Sequence, residues 1–224
     1  MICNDRLLFI HVGKNGGMSC TRYLLEHLRR PVLSVHAEAE TELTQWGLTD
    51  IEARTDLNRN CTLAAALAFT RREFNKDLGD FEKIVAVFRH PVTHEYSFYQ
   101  HLRKPEVIAR RQRQQPHLVA LAQGDFLSFI KGAGFHRPNL PQEAYVMVDG
   151  VIPDNVAIAR FETLTAQFPK LVQPFTRSQT PGPLPHSNRT LYTEPPTFSN
   201  AELTAIYAKH RYLFDAGYYS LTEY

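Results

Sequence analysis

The chain lacks any apolar run near the roughly 18 residues that would span a membrane. It begins Met1-Ile2-Cys3-Asn4-Asp5-Arg6, with no basic segment leading into an apolar stretch, so no signal peptide is expected. Its 3 cysteines, Cys3, Cys20 and Cys61, are spaced for neither a disulfide framework nor a zinc site. A reducing, cytoplasmic setting is the expectation. Charge of one sign is not in excess either. A net charge of +2 is too small to imply a nucleic-acid partner by bulk electrostatics. There are no repeats and no low-complexity tracts. What remains is ordinary globular composition: 224 residues, 43% hydrophobic and 21% charged. That length can bury one sizeable core, and a single domain over residues 1–224 is expected.

Apolar runs place the strands. Leu7 to Val12 reads as a buried strand that runs into Gly13-Lys14-Asn15-Gly16-Gly17. Met18 to Arg30 then has helical spacing, with Leu24, Leu25 and Leu28 on one side. Pro31 to Val35 reads as a second strand ending at His36, and Lys83 to Phe88 as a third ending at Arg89. Residues 37–61 are polar and show no period, whereas Thr62 to Leu78 suits a helix. Pro91 suits the first position of a helix reaching about Lys104, and Pro105 opens another. Asp125 is a natural cap for Phe126 to Lys131, with Gly132 and Gly134 ending that helix. Ala144 to Val148 and Asn155 to Arg160 read as short strands, and Glu162 to about Phe168 as a helix that Pro169 stops. Residues 173–198 hold six of the 14 prolines and read as a long ordered loop or lid. Ser199 caps a last helix from Asn200 to about Leu213. Strands alternating with helices argue for an α/β fold with a largely parallel sheet. Ligands of such folds gather at the carboxyl ends of strands. Residues 13–19, His36 and Arg89 all fall at such ends.

The strand–turn–helix from Phe9 to Ser19 is the strongest chemical signal. Glycines let backbone N–H groups approach an anion, a helix start adds unsatisfied donors, and Lys14 adds a full charge. A tight turn with a solvated lysine is the alternative. The lysine precedes the Gly16-Gly17 pair, so the segment is not the G-x-x-x-x-G-K-[ST] loop of common nucleoside triphosphatases. The second signal is Arg89-His90-Pro91 with Ser97 nearly two turns into the helix. An arginine fork and a hydroxyl can grip one phosphate; a structural arginine with a buried serine is the competing reading.

Together these segments resemble the nucleotide-binding signatures of sulfotransferases, in particular the group containing heparan sulfate 2-O- and 6-O-sulfotransferases and their bacterial relatives. His11-Val12-Gly13-Lys14-Asn15-Gly16-Gly17-Met18-Ser19 resembles that group's His-x-x-Lys-Thr-Gly-Gly-Thr-Ser loop. Arg89 and Ser97 keep the spacing of its Arg-Asp-Pro arginine and helical serine. Weaker likeness extends through Asp125 to Ile130, Arg160-Phe161-Glu162-Thr163-Leu164, His186 to Thr190, and Tyr212 to Tyr218. Asn15 and Met18 stand where threonines are usual, His90 replaces an acidic or amide residue, and His94 stands where arginine is common.

The resemblance implies a P-loop-like three-layer fold and 3′-phosphoadenosine 5′-phosphosulfate (PAPS) as donor, with 3′,5′-bisphosphoadenosine (PAP) as product. A sulfuryl group would pass in line to a hydroxyl or amine, such as a carbohydrate hydroxyl, without a metal. Lys14 would stabilise charge on the bridging oxygen, and the amides of Asn15, Gly16, Gly17, Met18 and Ser19 would hold the 5′-phosphate. Arg89 and Ser97 would hold the 3′-phosphate, and Asn188 and Arg189 would cover the adenine or that phosphate. His36 is the first choice for the general base, with Glu38 and Glu40 as alternatives and a surface-loop histidine as the plain reading. His11 reads as structural. His101 to Arg113 carries Arg103, Lys104, Arg110, Arg111 and Arg113 against Glu106. An unbroken helix there would pair Arg103 with Arg110 and Lys104 with Arg111. A solvated face is favoured over an anionic-acceptor site. Two other readings stand: an ATP-dependent kinase-like phosphotransferase, and a non-catalytic module binding nucleotide or polyanion.

Overall fold

Short segments, most of them apolar, pair into one sheet of six strands, in the order β4-β3-β1-β2-β5-β6. They are β1 (Ile2–Cys3), β2 (Leu7–Ile10), β3 (Leu33–Val35), β4 (Glu52–Arg54), β5 (Lys83–Phe88) and β6 (Val156–Arg160). The computed structural model describes residues 1–134, 140–178, 180, 182–185 and 196–224. Contacts between β2 and β5, β5 and β6, and β3 and β4 are parallel; β1 is antiparallel to both of its neighbours. Two antiparallel steps across β1 leave β2 and β3 pointing the same way. The ends of β2, β3, β5 and β6 therefore share one edge of the sheet. All four residues of β2 are at most 1% exposed, as expected of a strand covered on both faces.

The described residues form two compact units. The first comprises Met1–Phe88 and the described part of Gln142–Arg189, and it contains the whole sheet. Its helices are α1 (Gly17–His27), α2 (Ala39–Gln45), α3 (Leu63–Phe74) and α8 (Leu164–Val172). Tyr23, Leu24 and Leu25 of α1 and Leu28 at its C-terminal cap are buried with Phe9, Val85 and Val87, and Leu24 and Leu28 lie one turn apart. Phe168 and Val172 of α8 complete that core, with Phe168 edge-on to both Phe9 and Tyr23. Thr62 caps α3 by accepting from the Ala65 N–H.

Several local expectations are overturned. β1 and α2 arise in segments too short or too polar to show a period. Ala144 to Val148 is not a strand: Gln142–Tyr145 forms a 3-10 turn, and Val148 bridges only to Val151. Pro169 does not stop its helix but sits inside α8. Burial of Phe168 and Val172 on either side of it outweighs the missing N–H, since each such side chain contributes roughly 1.5–3 kcal/mol.

The second unit comprises Arg89–Pro141 and the described part of Thr190–Tyr224. It is helical: α4 (Pro91–Leu102), α5 (Pro105–Arg111), α6 (Pro116–Gln123), α7 (Phe126–Gly132), α9 (Asn200–Lys209) and α10 (Arg211–Asp215). Prolines open α4, α5 and α6, where the first N–H has no intrahelical acceptor anyway. Asp125 caps α7 through the Ser128 N–H, and Ser199 forms a capping box with Glu202 at α9. The final helix breaks at His210, short of the expected Leu213. Val92, Phe98, Tyr99, Leu102, Phe129 and Ile206 form the core.

One acid is buried in this unit. Glu95 is 1% exposed; its Oε1 accepts from His210 Nε2 at 2.7 Å and lies 3.0 Å from Lys209 Nζ. Burial pushes its carboxyl pKa up, but Lys209, His210 and His94 together outweigh burial and hold it down at about 2. A depressed acid stabilises the fold above its unfolded pKa, and that contribution is lost as pH falls from about 4.5 to about 2. Replacing Glu95 by Ala strands its cationic partners and is expected to cost about 3 kcal/mol. Urea unfolding at pH 7 measures this, and the wild-type advantage should shrink below pH 4.5.

Candidate functional site

The turn after β2 owes its shape to two left-handed residues, Lys14 (φ 66) and Gly16 (φ 74). A lysine there is strained, at a cost of order 1–3 kcal/mol, and such strain needs surrounding contacts to hold it. Asn15 supplies them. It is fully buried, and its side-chain amide donates to the Val87 carbonyl at 2.6 Å and to Gln142 Oε1 at 2.7 Å. Gly16 serves a second purpose: a Cβ there would come within 2.9 Å of Leu164 and 3.2 Å of Phe161. The Arg160 to Leu164 stretch, singled out in the sequence, thus packs on this turn. Gly17 faces the His11 ring, where a Cβ would lie 2.3 Å from Nε2. His11 is 6% exposed, and burial, with smaller effects from Arg59, the Met1 amino group and His36, lowers its pKa to about 3. It is a neutral packing residue, as its sequence context suggested.

Helix α1 starts directly from this turn, with Gly16 as a cap that brings no side chain. The Ser19 N–H turns back to the Gly16 carbonyl at 3.0 Å. The earlier amides, at Gly17 and Met18, have no carbonyl one turn back within the helix. A half-buried Lys14 and the positive end of an 11-residue helix thus share one short turn.

His36 follows β3 on the same sheet edge and is 1% exposed, not a solvated loop residue. Its Nδ1 lies 3.5 Å from Glu38 Oε2 and its Nε2 3.5 Å from Glu42 Oε2. Arg59 closes the group, donating to Glu42 at 2.6 and 3.0 Å and to Glu38 at 3.3 Å. The same guanidinium lies 3.0 Å from the Met18 Sδ on α1. Burial first, then the Arg59 charge, lowers the His36 pKa to about 4, against the pull of Glu42 and Glu38. The ring is therefore neutral at pH 7. Glu40, the other expected alternative base, is exposed, while Glu42 takes the inner position. Sequence reasoning missed Glu42 and Arg59. Spacing alone put Glu38 and Glu42 one turn apart, but nothing announced Arg59 among polar residues.

In the second unit, Arg89 Nε donates to Thr93 Oγ1 at 3.0 Å. Thr93 lies one turn before Ser97 on the same face of α4, so the arginine is laid along the face that carries the serine. Thr93 was not anticipated. His90 explains its own departure from an acidic or amide residue. Its Nδ1 accepts from the Val92 N–H, as a capping aspartate would, and its Nε2 donates to the Ser220 carbonyl at 2.8 Å. His94 is buried beside His210, with ring centroids 6.3 Å apart, and is absorbed in the Glu95 group.

Asn188 and Arg189 lie outside the described residues. The basic stretch does not form one continuous face, because the helix stops at Leu102 and restarts at Pro105. Arg103 is a structural residue that donates to Tyr99 and to the Ala122 carbonyl. Among the described residues, no helix is long and apolar enough to cross a membrane.

No family model and no curated protein matches the chain. Its fold is similar to a sulfotransferase from Alicyclobacillus acidocaldarius, with a TM-score of 0.39 and 13% identity over 93% of this chain and 96% of that one. It is also similar to mouse sulfotransferase SULT7A1 complexed with PAP, with a TM-score of 0.35 and 10% identity. That match spans 76% of this chain and 56% of the mouse protein. At such distances the case for function rests on this chain's own residues.

The contact between Gly17 and His11 gives a direct check on the turn. Gly17→Ala alone should overpack it and cost about 1–3 kcal/mol. In a His11→Ala background the added methyl has room, and the cost should fall by at least about 1 kcal/mol in urea unfolding. Equal costs in both backgrounds would remove His11 as the reason for the glycine.

Proposed function

We propose that this chain is a sulfotransferase that moves a sulfuryl group from PAPS to a hydroxyl acceptor. The observation that carries the reading is the turn after β2. There a strained, half-buried lysine and a helix start whose cap, Gly16, brings no side chain meet at the carboxyl end of a parallel strand.

In this reading Lys14 faces the bridging oxygen, where negative charge grows as the sulfur–oxygen bond breaks. The amides of Asn15, Gly16, Gly17 and Met18, with Ser19 behind them, take the 5′-phosphate. Arg89 and Ser97, with Thr93 between them on the helix face, take the 3′-phosphate that distinguishes PAPS from ATP. His36 is neutral at pH 7 and accepts the proton of the attacking hydroxyl, whose oxygen forms the new bond to sulfur. PAP leaves with both phosphates. The protein's work is positioning and charge stabilisation, as in phosphoryl transfer, and the scheme routes no step through a metal.

Thermal unfolding with added nucleotide tests the reading. PAP should raise Tm in the presence of EDTA, and PAP should outperform adenosine 5′-monophosphate. A response confined to magnesium–ATP would replace this reading with a kinase, and one confined to polyanions with a binding module. Arg89→Ala should remove the advantage of PAP over the monophosphate. Lys14→Ala should slow release of PAP from PAPS by roughly 10²–10³-fold, the usual effect of deleting one donor to a developing charge. Unchanged release would take Lys14 out of the chemistry.

A further inference from the structure

His36 stands between two carboxylates that are not equivalent. The side chain of Glu42 is 14% exposed and is gripped by both terminal nitrogens of Arg59. The side chain of Glu38 is 64% exposed and has one longer contact, at 3.3 Å, to the same arginine. One face of the imidazole thus meets a fixed acceptor and the other a displaceable one. A neutral imidazole has a single N–H to give, and the partner of one ring nitrogen decides the state of the other.

We propose that Glu42, clamped by Arg59, is the positioning residue for His36: it holds the ring as the Nε2–H tautomer and leaves Nδ1, on the Glu38 side, to accept the acceptor's proton. The inference rests on reading His36 as the general base. At 3.5 Å both contacts are longer than a formed hydrogen bond, and catalytic hydrogen bonds of this kind commonly tighten only in the reacting complex. Arg59 carries the arrangement further. It touches Met18 on the first turn of α1, so the group that orients the base is braced against the helix that begins at the Lys14 turn. The charged and titratable groups around the ring are Glu38, Glu42, Arg59, His11 and the Met1 amino group.

Long-range ¹H–¹⁵N spectra of the histidines in the full chain test this, with His36→Asn assigning the signal. At pH 7 wild type should show the Nε2–H form. Glu42→Gln makes the sharpest variant. Arg59 should keep the carbonyl oxygen of the new amide, turning its NH₂ toward Nε2 and flipping His36 to the Nδ1–H form. Glu38→Gln should leave the tautomer as it was. Arg59→Met, which preserves side-chain length, should raise the His36 pKa above about 4 by removing a neighbouring positive charge. PAP affinity by calorimetry should stay within about twofold in Glu42→Gln. An Nδ1–H ring in wild type, or a tautomer indifferent to Glu42→Gln, would overturn the proposal. So would a loss of PAP affinity in step with the flip, which would assign Glu42 to the donor cradle. A wild-type chain that fails to bind PAP would sink the sulfotransferase reading instead, while the tautomer would still decide the role of Glu42.

Discussion

The buried amide of Asn15 is the tie on which the candidate site depends. It joins the turn after β2 to the carbonyl near the end of β5 and to Gln142, and so ties the turn that carries Lys14 to the sheet. Two acceptors require two donors on one short side chain. A threonine, usual at this position in the proteins whose loop this one resembles, has a single hydroxyl proton and could satisfy only one of them. The asparagine also suits the backbone, because it lies between two left-handed residues in a turn. A departure from the expected pattern is thereby explained by hydrogen-bond arithmetic.

Electrostatics in the first unit follow from what burial does to histidine. His11 and His36 are both pushed far below neutrality, to about 3 and about 4, so neither adds positive charge near the turn at pH 7. The Arg59 guanidinium beside them is answered by Glu42 and Glu38. The second unit handles charge in another way. Glu95 is kept ionised in its core by partners on α9 and at the α9 cap, which ties the helix bearing Ser97 to the C-terminal helices.

How much of this could be read from sequence depended on the length and purity of each signal. β5 was legible because Ile84 to Phe88 is an unbroken apolar run between Lys83 and an Arg-His-Pro stop. Caps at Asp125 and Ser199 were legible because capping chemistry is local. β1 was not, since two residues carry no period, and its stability comes from neighbours on both sides. Pro169 misled because tertiary burial overrode a local preference. The turn, His36 and Arg89 were singled out because each follows an apolar strand. Arg59, Glu42 and Thr93 were not, because their roles arise from contacts with residues distant in sequence or from a helix face whose partner was unknown. The two glycines were expected to admit a phosphate; packing against Phe161, Leu164 and His11 already requires them.

His90 joins two ends of the second unit through the two nitrogens of one ring. One accepts from the first turn of α4, beside Arg89, and the other donates to the Ser220 carbonyl. The aromatic rings of Phe214, Tyr219 and Tyr224 surround it. The chain behind Leu213 is consequently no passive tail. Trimming it would free the imidazole to rotate, loosen the entry to α4, and make the order of a distant arginine a function of the last few residues.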